Sequence, residues 1–181
     1  MMRCRQYSAG EGSDNGLLRV QSTHSLVAML DNIRSAYNVG AMFRTADGAG
    51  VDHIFLCGIT STPAHPRVRK TALGAEGRVA WSHNNNSLEI AARLRSEGFL
   101  LWAVERSSRS TALPSVEDVS DTVALIVGNE VTGIDPELLS MADRCFHVPM
   151  YGVKGSLNVE VAFGLTAYQV RNALERCAAA R

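Results

Sequence analysis

Lysine is nearly missing from this 181-residue chain: only Lys70 and Lys154 occur, against sixteen arginines. Arginine's planar fork suits bidentate phosphate contacts and stacking on bases. A GC-rich genome, which favours arginine codons, accounts for the same excess. Net charge is absent too, with 18 Lys and Arg against 18 Asp and Glu. That balance excludes a nucleic-acid binder working by bulk charge alone. There is no Cys-x-x-Cys pair: Cys4, Cys57, Cys145 and Cys177 are scattered, so neither a zinc site nor a disulfide framework is indicated. The histidines at 24, 53, 65, 83 and 147 show no metal-ligand spacing, and no metal is expected. No apolar run approaches the roughly 18–20 residues needed to span a bilayer. The opening residues lack the apolar core of a signal peptide. These absences point to a reduced, cytoplasmic protein without membrane association. Neither the glycine-rich dinucleotide fingerprint nor a phosphate-binding P-loop is present, which disfavours a small-molecule enzyme built on those motifs.

What remains is ordinary globular material, 46% hydrophobic and 20% charged. The length suits one domain. Residues 1–24 read as a polar lead without a period, expected to be flexible. From residue 25 onward strand and helix alternate. Strands are expected at 26–30, 53–58, 78–82, 99–104 and 122–127, with a short one within 145–150. Helices are expected at 38–48, 66–74 (a helix or loop), 87–98, a short one from Asp135-Pro136, and 157–177. The continuous apolar run at 122–127 is typical of a strand covered on both faces. Such alternation predicts an α/β fold: a parallel sheet with helices on both faces.

Three segments carry chemistry. In the first, Asn38 is placed to cap a helix N-terminus, Gly40 permits close packing, and Arg44 leans back along the helix. An amphipathic helix with one exposed arginine explains the same residues. In the second, a buried strand ends in Gly128-Asn129-Glu130, with Gly133 following. There the backbone is open to close approach by a ligand. Glu130 can accept from a ligand, pair with an arginine such as Arg44, cap the Asp135 helix or hold its loop closed. The third is the loop bearing Gly152, Lys154, Gly155, Ser156, Leu157 and Asn158 ahead of the last helix. Ser156 can cap that helix, and Asn158 in its first turn offers both a donor and an acceptor. No serine–histidine–acid set accompanies Ser156, so nucleophilic catalysis is not expected. Basic residues cluster at Arg67, Arg69, Lys70 and Arg78, and again at Arg106 and Arg109. Two loops at strand carboxyl ends point to one composite pocket.

Together the three segments resemble the SpoU/TrmH family of SPOUT RNA 2′-O-ribose methyltransferases. The resemblance covers about residues 26–175. It rests on Asn38, Gly40 and Arg44; on Gly128, Asn129, Glu130 and Gly133; and on Pro149, Met150, Ser156, Leu157, Asn158 and Val159. It implies a methyltransferase domain over residues 25–181 whose C-terminal part is threaded into a trefoil knot, an obligate homodimer, and S-adenosylmethionine as cofactor. The substrate implied is a ribose 2′-hydroxyl of tRNA or rRNA. Arg44, Asn38, Glu130, Ser156 and Asn158 are the implied catalytic set. Gly128, Asn129, Val148, Met150 and Leu157 are implied to hold the cofactor, and Arg67, Arg69, Lys70 and Arg78 to meet RNA. Guanidinium does not give up its proton near neutral pH, so Arg44 is read as gripping a phosphate and orienting the ribose.

The chain departs from the family pattern at Glu160, where many members carry a small residue. The 24-residue lead is not expected to stand in for the N-terminal RNA-binding domain of several relatives. A knotted RNA-binding module without catalysis is the alternative reading that Glu160 keeps open.

Overall fold

The computed structural model describes residues 25–113, 119 and 122–179. The lead at 1–24 and Cys4 lie outside them. The sheet is built outward from its most apolar segments. β1 (Leu26–Asp31) and β6 (Val123–Val127) are buried at every position and pair in parallel, Leu26 opposite Val123 through Leu30 opposite Val127. Strands without a polar face require cover on both sides, which is the situation of an all-parallel sheet. β2 (His53–Cys57) and β3 (Ala80–Asn84) extend one side; β4 (Leu100–Val104), β7 (Arg144–His147) and β5 (Thr111–Ala112) extend the other. The order is β3-β2-β1-β6-β4-β7-β5, every pairing parallel.

Alternating side chains feed two cores. Leu26, Ala28 and Leu30 join the cluster under α1 (Ala36–Ala49), α2 (Pro66–Ala72) and α5 (Val159–Ala179). Val27 and Met29 join the opposite cluster, under α3 (Ser87–Ser96) and α4 (Pro136–Ser140). Each helix begins where the chain supplies a cap. Asn86 Oδ1 accepts from Leu88 and Glu89 N–H at 3.0 and 3.3 Å, and Asp135 with Pro136 starts α4. α1 stops at Gly50, whose φ of 67° a side chain would strain.

The expected helices and longer strands are all present, with shifted ends. The strand expected at 78–82 begins at Ala80, because a tight turn at Ala75–Gly77 uses the preceding residues. The last helix starts at Val159, two residues later than expected. β5 was not expected. Two residues carry no period, and β5 is defined by its register against Phe146 and His147. No helix among the described residues is long and apolar enough to cross a membrane.

Candidate active site

The carboxyl ends of β4, β6 and β7 and the loop before α5 enclose a cavity of about 410 Å³. Its floor is the turn after β6. Asn129 and Gly133 exchange backbone hydrogen bonds at 3.0 and 2.9 Å, and Asn129 Oδ1 accepts from Val131 and Thr132 N–H at 2.9 and 3.2 Å. Gly128 is needed because a Cβ there would lie 2.3 Å from the Ile134 nitrogen. The Asn129 amide donates to the Asn32 carbonyl at 2.9 Å, joining the turn to the end of β1.

One wall is a relay of side chains across three elements. Glu130 accepts from Arg34 N–H (2.9 Å), Ser35 N–H (3.0 Å) and the Asn38 amide (2.9 Å). The Asn158 amide donates to Asn38 Oδ1 at 3.2 Å, and Asn158 Oδ1 accepts from Glu160 N–H at 2.9 Å. Loop, α1 and α5 are thereby fixed to one another. Burial pushes the Glu130 carboxyl up, but the backbone donors at Arg34, Glu130 itself and Ser35, with the Asn38 amide, outweigh it and hold it below the ordinary carboxylate value.

Several expectations are corrected here. Ser35, not Asn38, caps α1; its hydroxyl accepts from Asn38 N–H, which places Asn38 in the first turn with its amide free for the relay. Glu130 pairs with neither Arg44 nor the Asp135 helix. It is held by the α1 entrance, because three donors converge there. Ser156 does not cap α5. Asn158 does, accepting Glu160 N–H on its side chain and Ala162 N–H on its carbonyl. Glu160 does not line the cavity and accepts from the Thr45 hydroxyl at 2.9 Å, a contact between α5 and α1.

Asn38, Glu130, Ser156 and Asn158 share the lining with Gly128, Asn129, Val148, Met150 and Leu157. Arg44 is not among them; it is exposed on α1, and its side chain makes no hydrogen bond or ion pair among the described residues. Arg67, Arg69, Lys70 and Arg78 are exposed on α2 and the turn beyond it, and none of them lines the cavity. Sequence reasoning did not place Glu105, Arg106 or His147 at this site, although Arg106 stood out with Arg109 as a basic pair. Glu105 accepts from Arg106 and Ile134 N–H, both at 3.0 Å, and Arg106 Nη1 donates to the Gly155 carbonyl at 2.7 Å, tethering the third loop. His147 Nδ1 lies 2.9 Å from Ser110 Oγ. Their signal was position alone, at the carboxyl ends of β4 and β7.

A larger cavity, about 580 Å³, lies between α4 and β7, but none of the three motif segments reaches it. The site is assigned to the smaller cavity because the motif residues converge there. Among the described residues no group of three or more His, Cys, Asp or Glu could hold a metal. Burial, with Asp31 nearby, pushes the Cys57 thiol up to about 12, so it offers no thiolate.

The cavity's position, outside strand carboxyl ends, is where open α/β sheets bind ligands. The chain is 31% identical over 157 residues to a tRNA (guanosine(18)-2′-O)-methyltransferase of Aquifex aeolicus, covering 83% of this chain and 70% of that one. It is 32% identical over 152 residues to the 23S rRNA (guanosine(2553)-2′-O)-methyltransferase RlmP of Bacillus subtilis, covering 83% of this chain but 59% of the relative. The AdoMet-bound rRNA methyltransferase from Sinorhizobium meliloti superposes with a TM-score of 0.77 at 27% identity, over 82% of this chain and 56% of that one. The family model for the SpoU rRNA Methylase family matches residues 25–168, and the chain belongs to that family.

Proposed function

We propose that this protein is an S-adenosylmethionine-dependent methyltransferase acting on a ribose 2′-hydroxyl of tRNA or rRNA in the cytoplasm. The observation that carries the reading is the convergence of Asn38, Glu130 and Asn158 with Gly128 and Leu157 on one cavity. The residues present fit the cofactor. At about 410 Å³ the cavity lies in the range of small-molecule sites. Val148, Met150 and Leu157 offer apolar wall to an adenine, and the closely turned Gly128 keeps side-chain bulk off its floor. S-adenosylmethionine supplies an electrophilic methyl group on sulfur.

The chain's own task is placement and proton removal. With the cofactor bound, the ribose oxygen would gain a carbon–oxygen bond as the carbon–sulfur bond broke, losing its proton and leaving S-adenosylhomocysteine. Asn38 and Asn158, pinned to one another and to Glu130, fix the rim where the ribose would sit, so orientation costs no rearrangement at reaction. Arg44 grips the adjoining phosphate and helps pass the hydroxyl proton to a phosphate oxygen or water. Arg67, Arg69, Lys70 and Arg78 form the RNA face.

The knotted threading and the homodimer belong to the same proposal. Val161, Leu165 and Tyr168, spaced to share one face of α5, are 43%, 47% and 48% exposed. Gly48 shares Arg44's face of α1 and abuts the Tyr168 hydroxyl, so Arg44 borders this apolar stripe. A second copy covering the stripe would bring Arg44 to an interface, which accounts for its absence from the cavity of its own chain. Glu160, bonded to Thr45, is accounted for structurally and does not favour the non-catalytic alternative.

The test is product analysis. Incubation with S-adenosylmethionine and total RNA, followed by nuclease digestion, is expected to yield a 2′-O-methylnucleoside. Cofactor binding without ribose methylation of any tRNA or rRNA would sink the proposed reaction.

A further inference from the structure

Next to Asn38 stands a side chain that the site has not used. Tyr37 occupies the first turn of α1 and is 44% exposed, although large aromatics are usually covered. The Arg67 guanidinium lies 5.8 Å from its ring centroid, against one side of the ring. The mounting is rigid. The Thr71 hydroxyl donates to the Tyr37 carbonyl at 2.9 Å, and α1 meets α2 so closely at Gly40 that a Cβ would sit 2.1 Å from Thr71 Oγ1. Arg34, Arg69 and Lys70 are exposed nearby in the chain or on α2.

We propose that Tyr37, backed by Arg67, is a stacking platform for an unpaired RNA base beside the nucleotide whose ribose meets Asn38. This rests on the RNA methyltransferase reading and deepens it. Tyr37 and Asn38 share the first turn of α1 with side chains about 100° apart around the helix, so the Tyr37 ring adjoins the Asn38 rim on the α2 side, where a flanking nucleotide rather than the methylated one would lie. Unpaired RNA bases are recognised by stacking on aromatic rings and guanidinium planes, and any base has a face to offer. The flanking cations suit the phosphates of that strand. An apolar protein surface on the same patch would leave the cations without counter-charges, which an RNA strand brings on every nucleotide.

The test uses the full chain and a fluorescein-labelled single strand, (rU)12, followed by anisotropy at several salt concentrations. Tyr37→Ala is expected to weaken binding about 5- to 150-fold, the range of one lost base stack. Its salt slope should match wild type, and Tyr37→Phe should bind nearly as wild type does. Lys70→Ala, by contrast, should lower the slope by about 0.7, the value of one phosphate contact on a single strand. Equal affinity of Tyr37→Ala and wild type would overturn the proposal. So would a loss in Tyr37→Phe as large as in Tyr37→Ala, a flattened slope in Tyr37→Ala, or no (rU)12 binding by wild type. Altered sedimentation of Tyr37→Ala with unchanged RNA affinity would also overturn it, in favour of a protein contact. S-adenosylmethionine titration of the same proteins reports on the methyltransferase reading separately.

Discussion

Glu130 carries a charge at the mouth of the cavity with no cation paired to it among the described residues, and that is tolerable because three N–H donors from the start of α1 face it. The arrangement has a pH signature. Because the folded carboxyl sits below its ordinary value of 4.5, its stabilisation is complete above that value and is lost as pH falls through the folded value. Glu130→Gln is therefore expected to lower the urea midpoint at pH 7, with a difference from wild type that shrinks below pH 4.5. A difference independent of pH would contradict this role. Asn158→Ala removes both the cap of α5 and a link of the relay. It should cost about 0.5–2 kcal/mol by denaturant titration, besides lowering methyl transfer. These positions were legible in the sequence as polar residues beside glycines. Their partners were not, because hydrogen bonds spanning 92 and 120 residues have no local pattern.

At the scale of elements, the packing of α1 on α2 sets where Asn38 and Tyr37 stand. Gly40→Ala would drive a Cβ to 2.2 Å from the Val68 carbonyl, backbone that cannot yield without moving α2. The expected cost is about 1–3 kcal/mol, measured by urea denaturation, with weaker RNA binding. A variant as stable as wild type would show that α2 shifts freely. Elements with a full period were readable from the chain: α3 from its amphipathic spacing and Gly98, β6 from its unbroken apolar run. Where the reading slipped, local competition was the cause. Ser35 and Asn38 are both good caps three residues apart, and the preceding residues, bonded to Glu130, decide for Ser35. At α5 the cap is Asn158, two residues past Ser156, and it accepts Glu160 N–H on its side chain.

For the whole molecule, the parallel sheet with helices on both faces followed from the alternation of strand and helix. The strand order did not, since nothing local says that β6 returns between β1 and β4. Covering the α5 stripe is expected to need a second copy of the chain. Leu165→Glu should sediment as a monomer and lose methyl transfer while remaining folded by circular dichroism; a dimer in that variant would place the interface elsewhere. In the proposed reaction the cavity positions the ribose and cofactor while Arg44, outside its own chain's lining, supplies the charged grip on phosphate. The direct measurement is the single-turnover rate of methyl transfer to RNA by wild type and Arg44→Ala at saturating S-adenosylmethionine. The account predicts a fall of roughly 30- to 1000-fold, the loss of about 2–4 kcal/mol of transition-state positioning. A variant rate within twofold of wild type would contradict it.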